Sequence, residues 1–384
     1  MEYAELNINR SLRDREGIKE NRMHARVAHN PSEANPGDTL NVRMPKLDAN
    51  SVIYRNSLGL SFDYKLNSGK DKSDIPDHLT SAIVKRLTIT FEGQIVYDTN
   101  DRHHLATFKE FWYPKHEYDN ELEHIGIQSA ATKKKRHVAG SPDDDVLGTI
   151  NGERYVFKLG SFLTDAAFCP QAIHNNVMFN ITLAEGEYTL KNIKLEYDYI
   201  LNQQLADSCK SKYVNHRHII NRYAYKQSYD VPTTAGDIEI NIAATFDSLR
   251  AILIFFPPSN NAGTTYQFPN LTGVEVDIDG AGGQLYGGKY LPQYAWDDAK
   301  RFFQKTSNET KINKASFYTD KFCLALDLRT INDERSSGVG REIRDNVRIK
   351  LTKGATSAAC KAVVYLVSDR AIYFRNNQLL RFED

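Results

Sequence analysis

Two stretches in different halves of the chain share one grammar, and this repetition constrains the fold more than any single motif. Leu87-Thr-Ile-Thr-Phe-Glu-Gly-Gln-Ile-Val-Tyr97 reads as a strand, a Gly turn, then Gln, an aliphatic residue and Tyr. Val274-Glu-Val-Asp-Ile-Asp-Gly-Ala-Gly-Gly-Gln-Leu-Tyr286 repeats the pattern with a longer turn. A short amphipathic helix ending in aromatics follows each, predicted over Arg102–Trp112 and over Tyr294–Phe303. Each half then closes with paired strands, Asn176–Thr182 and Lys191–Ile200 in one, Asn346–Thr352 and Lys361–Val367 in the other. The landmark pairs Gln94 and Gln284, Val177 and Val347, and Tyr197 and Tyr365 keep nearly the same separation, as two copies of one domain with unequal loops would.

The repeated unit is β. The 384 residues include 21 Tyr and 18 Phe but only 4 Met and 2 Trp, and aromatic and β-branched residues favour strands. Ile193, Leu195, Tyr197 and Tyr199 alternate with polar residues, the period of a half-buried strand. Ala251-Ile-Leu-Ile-Phe-Phe256 is continuously apolar, as a strand covered on both faces would be, and Pro257-Pro258 ends it. Short strands punctuated by Gly, Asn, Asp and Pro predict sandwiches or barrels.

The organisation follows. Residues 1–46 read as an N-terminal arm, 48–201 as a first sandwich, 202–235 as a polar, aromatic connector and 236–384 as a second sandwich. Each copy is long enough for eight strands plus loops and a helix. Eight strands folded as two Greek keys make a jelly roll. The expected fold is therefore all-β: two tandem eight-stranded jelly rolls, a double jelly roll, with short helices in the loops.

Ile252-Leu-Ile-Phe-Phe-Pro257, then Tyr266-Gln-Phe-Pro-Asn-Leu-Thr-Gly-Val-Glu-Val-Asp-Ile-Asp-Gly280, then Gln284-Leu-Tyr286 and the helix to Phe303 carry a family resemblance. Phe268–Tyr286 resembles the stretch that opens the second jelly roll in major capsid proteins of polinton-like elements and adintoviruses, relatives of adenovirus hexon and virophage capsids. Leu87–Tyr97 resembles the matching stretch of the first roll. Asn270 follows Pro269, where the family pattern has the reverse order, and the Gly280–Gly283 turn is glycine-heavy. The resemblance implies a trimeric, hexon-like capsomer of six jelly rolls tiling an icosahedral shell. It also implies a single-jelly-roll vertex (penton) protein and minor cement proteins as partners, and a virion assembled in the host cell, in the nucleus for a nuclear-replicating element.

A search for chemistry returns little, as a structural protein requires. No GxxxxGK[ST], HExxH, GxSxG or GxGxxG motif stands in a suitable setting. Gly280-Ala-Gly-Gly283 reads as a turn, because no phosphate-binding Lys-Ser/Thr follows. His103-His104 lacks a third ligand and reads as a helix start. Asp143-Asp-Asp145 lacks the alternating spacing of a calcium loop and reads as a solvated acidic loop. His216 and His218 share a strand face, as a cupin metal site would need, without the further His and carboxylate. Neither a cofactor nor a metal is expected. A two-domain jelly-roll carbohydrate-binding protein is the alternative reading and a cupin-like metalloenzyme the third; the former needs exposed aromatic platforms, and only Trp112 and Trp296 are available, both inside predicted helices.

Composition narrows the partners. Lys and Arg total 49 against 49 Asp and Glu, so a histone-like coat is excluded. No apolar run reaches the ~20 residues of a membrane span. The N-terminus has no apolar core of a secretory signal, and the four cysteines form no CxxC, so a reduced intracellular setting is expected. Arg10, Arg13, Arg15, Lys19, Arg22 and Arg26 in the arm are offset by Glu2, Glu5, Asp14, Glu16 and Glu20, so nucleic-acid contact is expected to be weak or absent. Lys133, Lys134, Lys135 and Arg136 form a basic run that reads either as a nuclear-import signal or as a solvated loop. Tyr213, Tyr223, Tyr225 and Tyr229 concentrate aromatic rings in the connector and are candidates for a subunit interface, where aromatics are enriched.

Overall fold

A computed structural model describes residues 22–67, 75–76, 78–116, 146–147, 155–159, 167–173, 176–211, 217–243, 249–259, 265–278, 284–304, 309–328, 346–375 and 378–383. The chain divides into two units. The first gathers Met1–Asp98, Leu122–Ile220 and Ala371–Phe382, and the second Thr99–Glu121, Asn221–Arg370 and Glu383–Asp384.

In chain order the first half supplies β1 (Arg22–Ala28), β2 (Thr39–Arg43), β3 (Ser51–Tyr54), β4 (Gly59–Leu66), α1 (Leu79–Ala82), β5 (Val84–Phe91), β6 (Gln94–Thr99) and α2 (Arg102–Glu110). There follow β7 (Val146–Leu147), β8 (Tyr155–Lys158), β9 (Ala167–Phe168), β10 (Val177–Leu183), β11 (Tyr188–Leu201) and α3 (Gln203–Ser211). Seven of these strands make one sheet with four positions: β1, then β11, then β3 and β4 end to end, then β7, β8 and β9 end to end. The other sheet has four strands in the order β2-β10-β5-β6.

The second half supplies β12 (Arg217–Val231), β13 (Gly236–Ala243), β14 (Leu249–Phe255), β15 (Leu271–Ile278), β16 (Gln284–Tyr290), α4 (Ala295–Phe303), α5 (Lys314–Asp320), β17 (Cys323–Asp327), β18 (Asn346–Lys353), β19 (Cys360–Arg375) and β20 (Gln378–Glu383). One sheet runs β12-β19-β14-β17 with β20 paired to β19, and the other runs β13-β18-β15-β16. With end-to-end strands counted as one, both halves pair their first to eighth strands in the orders 1-8-3-6 and 2-7-4-5. This is jelly-roll topology, twice over.

Sequence pattern explains the cores. Along β10 the side chains of Val177, Phe179, Ile181 and Leu183 are buried while Met178, Asn180 and Thr182 are only partly so, the alternation that makes one face of a sheet apolar. Those residues join Leu40, Val42 and Ile89 from neighbouring strands and Phe62, Leu190 and Leu195 from the opposite sheet in one hydrophobic cluster. All seven residues of β14 are buried, between the partners β17 and β19. The β5–β6 hairpin turns on Glu92 and Gly93, both at positive φ (51° and 82°), the geometry whose twist matches the flanking strands. Gly supplies one of those positions without steric cost.

Three placements differ from the sequence reading. Residues 22–46, read as part of an arm, supply β1 and β2. No described side chain of β1 is fully buried, so no hydrophobic period marks it. Its seven residues are held by the ladder to β11, by His24 Nδ1 to Asp198 Oδ1 at 2.6 Å and by Arg26 to Glu196 at 3.5 Å. Residues 202–235, read as a connector, supply α3 and β12, the first strand of the second roll. Finally α2, expected inside the first roll, places Leu105 and Phe108 in the hydrophobic cluster of the second unit, and Phe111 and Trp112, just after the helix, join the same cluster. Amphipathic spacing identifies a helix, but it does not say which core receives it.

Candidate assembly surfaces

The groups with most chemical potential are spent on packing. His103 and His104 open α2, with ring centroids 4.0 Å apart, and both are buried. Burial holds the His104 imidazole well below its ordinary pKa of 6.5, and the neighbouring His103 pushes the same way. Tyr266, wholly buried beside it, donates its hydroxyl to the His104 carbonyl oxygen at 3.0 Å. Burial raises the Tyr266 phenol and the Cys323 thiol well above their usual ranges, so neither ionises readily. A thiol kept protonated is a poor nucleophile. Cys169, Cys209, Cys323 and Cys360 are all buried, and none is bridged by a disulfide. Among the described residues no three His, Cys, Asp or Glu side chains come together as a metal site would need. No helix among them is long and apolar enough to cross a membrane.

The tryptophans do not form a ligand platform. Trp112 is 3% exposed and stacks on Phe303 at 6.0 Å, while Trp296 lies 5.3 Å from Trp112 and 5.4 Å from Phe317. Phe108 sits at the centre of this cluster, its ring 5.0 Å from Phe255, 5.5 Å from Tyr266 and 5.2 Å from Phe303. Lys321 lays its ammonium 4.4 Å over the Phe111 ring. The carbohydrate-binding alternative required such rings in solvent, where they could stack on a sugar.

What remains available is sheet surface. On the outward face of β13, β18 and β15, Glu239 and Glu275 flank Lys350 in register, and Asn241 and Asp277 flank Arg348. Lys350 also reaches Asp237 at 3.0 Å; that hydrogen bond raises its pKa, and the surrounding carboxylates reinforce the shift. The corresponding sheet of the first roll presents Asn41, Asn180 and Thr88 in one row and Arg43, Met178 and Thr90 in the next. Beside them Ile95 is 46% exposed.

Of the candidate residues from sequence, Tyr229 is half-buried and donates its hydroxyl to the Asn241 carbonyl oxygen at 3.0 Å. Tyr223 and Tyr225 lie on β12, but their side chains, like that of His218, fall outside the described residues, as do Tyr213, His216 and Asp143–Asp145. The run Lys133, Lys134, Lys135 and Arg136 also lies outside them. Sequence reasoning missed the two sheet faces, because only the pairing register tells which exposed residues become neighbours.

No protein-family model matches the chain, and neither does any curated protein. Solved structures do. The VP54 protein of PBCV-1, a crystal structure fitted into a reconstruction of the virophage Sputnik, aligns over 95% of this chain and 98% of its own at 10% identity, with a TM-score of 0.65. The Faustovirus major capsid protein aligns over 94% of this chain and 91% of its own, with 10% identity and a TM-score of 0.59. The mavirus major capsid protein aligns over 96% and 91%, with 9% identity and a TM-score of 0.53. The chain thus has the double jelly-roll fold, similar over nearly its whole length to viral major capsid proteins.

Proposed function

We propose that this chain is a major capsid protein, a structural and non-enzymatic building block that assembles with copies of itself into an icosahedral shell. The observation carrying this reading is two rolls of identical strand order within one chain, in a fold similar throughout its length to major capsid proteins. Three copies bring six rolls, so a trimer has a pseudo-hexagonal outline and tiles a surface with one kind of contact repeated. Function then rests on shape and buried surface rather than on a reactive site. The partners of this reading are the chain itself, a single-jelly-roll vertex protein and minor cement proteins. Tyr213, Tyr223, Tyr225 and Tyr229 are assigned to the subunit interface. Lys133, Lys134, Lys135 and Arg136 serve import into a nucleus where assembly takes place, and the finished location is the virion. The kinship with polinton-like elements and adintoviruses belongs to this proposal. Expression of the full chain followed by electron microscopy tests it: hexagonal arrays or closed shells are expected, and dispersed monomers under all assembly conditions would contradict it.

A further inference from the structure

The two four-stranded sheets can be laid on each other residue by residue, because their registers match. Val177 pairs with Phe91, the last residue of β5, as Val347 pairs with Ile278, the last residue of β15. Three outward rows then correspond. Arg43–Met178–Thr90 matches Asn241–Arg348–Asp277, Asn41–Asn180–Thr88 matches Glu239–Lys350–Glu275, and Thr39–Thr182–Arg86 matches Asp237–Thr352–Gly273. Wherever the second roll has a charge in these rows, the first roll has Thr, Asn or Met. In these rows the first roll keeps only Arg43 and Arg86; Asp98 of β6 holds Arg86 in a bidentate pair, at 2.9 and 2.7 Å, and accepts the Thr88 hydroxyl at 2.9 Å.

Two copies of one sheet have therefore been given opposite surfaces. Charged rows suit water, since burying them requires desolvating every ion, a penalty that mutual attraction does not reliably offset. Hydroxyl, amide and thioether side chains lose far less on leaving water, and interface centres are depleted of charge. Thr88 is spent on Asp98 and Thr39 on Thr182, while the Asn41 and Asn180 amides each carry donor and acceptor groups with which the face can hydrogen-bond to a copy of itself. Ile95 and Met178 add apolar area on the same face.

We infer that the outward face of the β2-β10-β5-β6 sheet, the less charged of the two, is a contact surface between copies in neighbouring trimers, where it meets the same face of a second copy across a twofold, while the β13-β18-β15-β16 face stays in solvent. This rests on the capsid reading and names the surface that the assembly uses. A membrane or a polyanion is a poorer occupant, because the face lacks both a basic cluster and a deep apolar groove.

The test transplants the charges. The variant Asn41→Glu, Asn180→Lys, Met178→Arg, Thr90→Asp gives the first roll the two in-register pairs of opposite charge, Glu239 with Lys350 and Arg348 with Asp277, that the second roll already tolerates. The reciprocal variant Glu239→Asn, Lys350→Asn, Arg348→Met, Asp277→Thr removes them from the second roll. Both leave net charge unchanged. Sedimentation of the full-length chains under shell-forming conditions should show the transplanted variant with a fraction in large assemblies reduced at least about ten-fold, and the reciprocal variant assembling like the parent. Thermal melting monitors folding, and Asn41→Glu alone, on an exposed edge-strand position, repeats the test if the fourfold variant melts early. Undiminished assembly of a folded transplanted chain, or equal loss in the reciprocal one, overturns the inference and leaves the capsid reading standing. A parent chain that never assembles overturns the capsid reading, and this inference with it.

Discussion

Tyr266 donates its hydroxyl to the carbonyl oxygen of His104 at 3.0 Å, across 162 residues of sequence and inside one hydrophobic core. The bond fastens the first turn of α2 to the chain just before β15, and Tyr365 does the same from β19 by donating to the Asp101 carbonyl oxygen. A helix that the sequence places among first-roll strands is thereby part of the second unit's interior.

Removing that hydroxyl tests the fastening. Tyr266→Phe keeps the ring that packs on Phe108 and Phe111 and deletes only the donor. The expected cost is about 1 kcal/mol, read as a lowered denaturant midpoint without a change in slope.

Truncating the ring at the middle of the cluster costs more. Phe108 is fully buried and touches Phe255, Tyr266 and Phe303, so Phe108→Ala leaves a cavity as well as losing transfer energy. A destabilisation of about 3–5 kcal/mol is expected from chemical denaturation. A loss below about 1 kcal/mol would mean that α2 is not core.

Acid should weaken the second unit. His104 stays neutral when folded, whereas in the unfolded chain it takes up a proton below its ordinary pKa of 6.5. The unfolded state then binds more protons, so stability falls as pH falls below about 6.5. His104→Leu should flatten that part of the stability–pH curve while leaving the neutral-pH fold intact. Parallel curves for parent and variant would show that His104 does not titrate on unfolding.

The short helix α5 depends on the residue that caps its N-terminus. The Asn313 side chain accepts the Ser316 backbone N–H at 2.9 Å, and the Ser316 hydroxyl lies 3.1 Å from the Asn313 backbone N–H, a reciprocal capping box. Asn313→Ala should lower stability by about 1 kcal/mol, seen as a drop in melting temperature.

These elements also mark what sequence can carry. The alternation in Val177–Leu183 and the unbroken apolar run in Ala251–Phe256 declare strands and even the kind of sheet, because burial imposes period two or abolishes it. Gln94 and Gln284 each begin the strand after the same hairpin, so duplication was visible from spacing alone. β1 was hidden, since an edge strand without a buried face leaves no periodic trace. α3 carries none of the aromatic residues that end α2 and α4, and α5 buries only Phe317, so neither stood out. The contrast between the sheet faces needs the register of six strands, which is a tertiary fact.

The most direct measurement of the central claim is the mass of the purified full-length chain by sedimentation equilibrium on progressive dilution. A capsid building block should be a trimer of about 131 kDa, three chains of 43.7 kDa, and should remain so at nanomolar concentration. A single species of 43.7 kDa across the whole range would contradict the account.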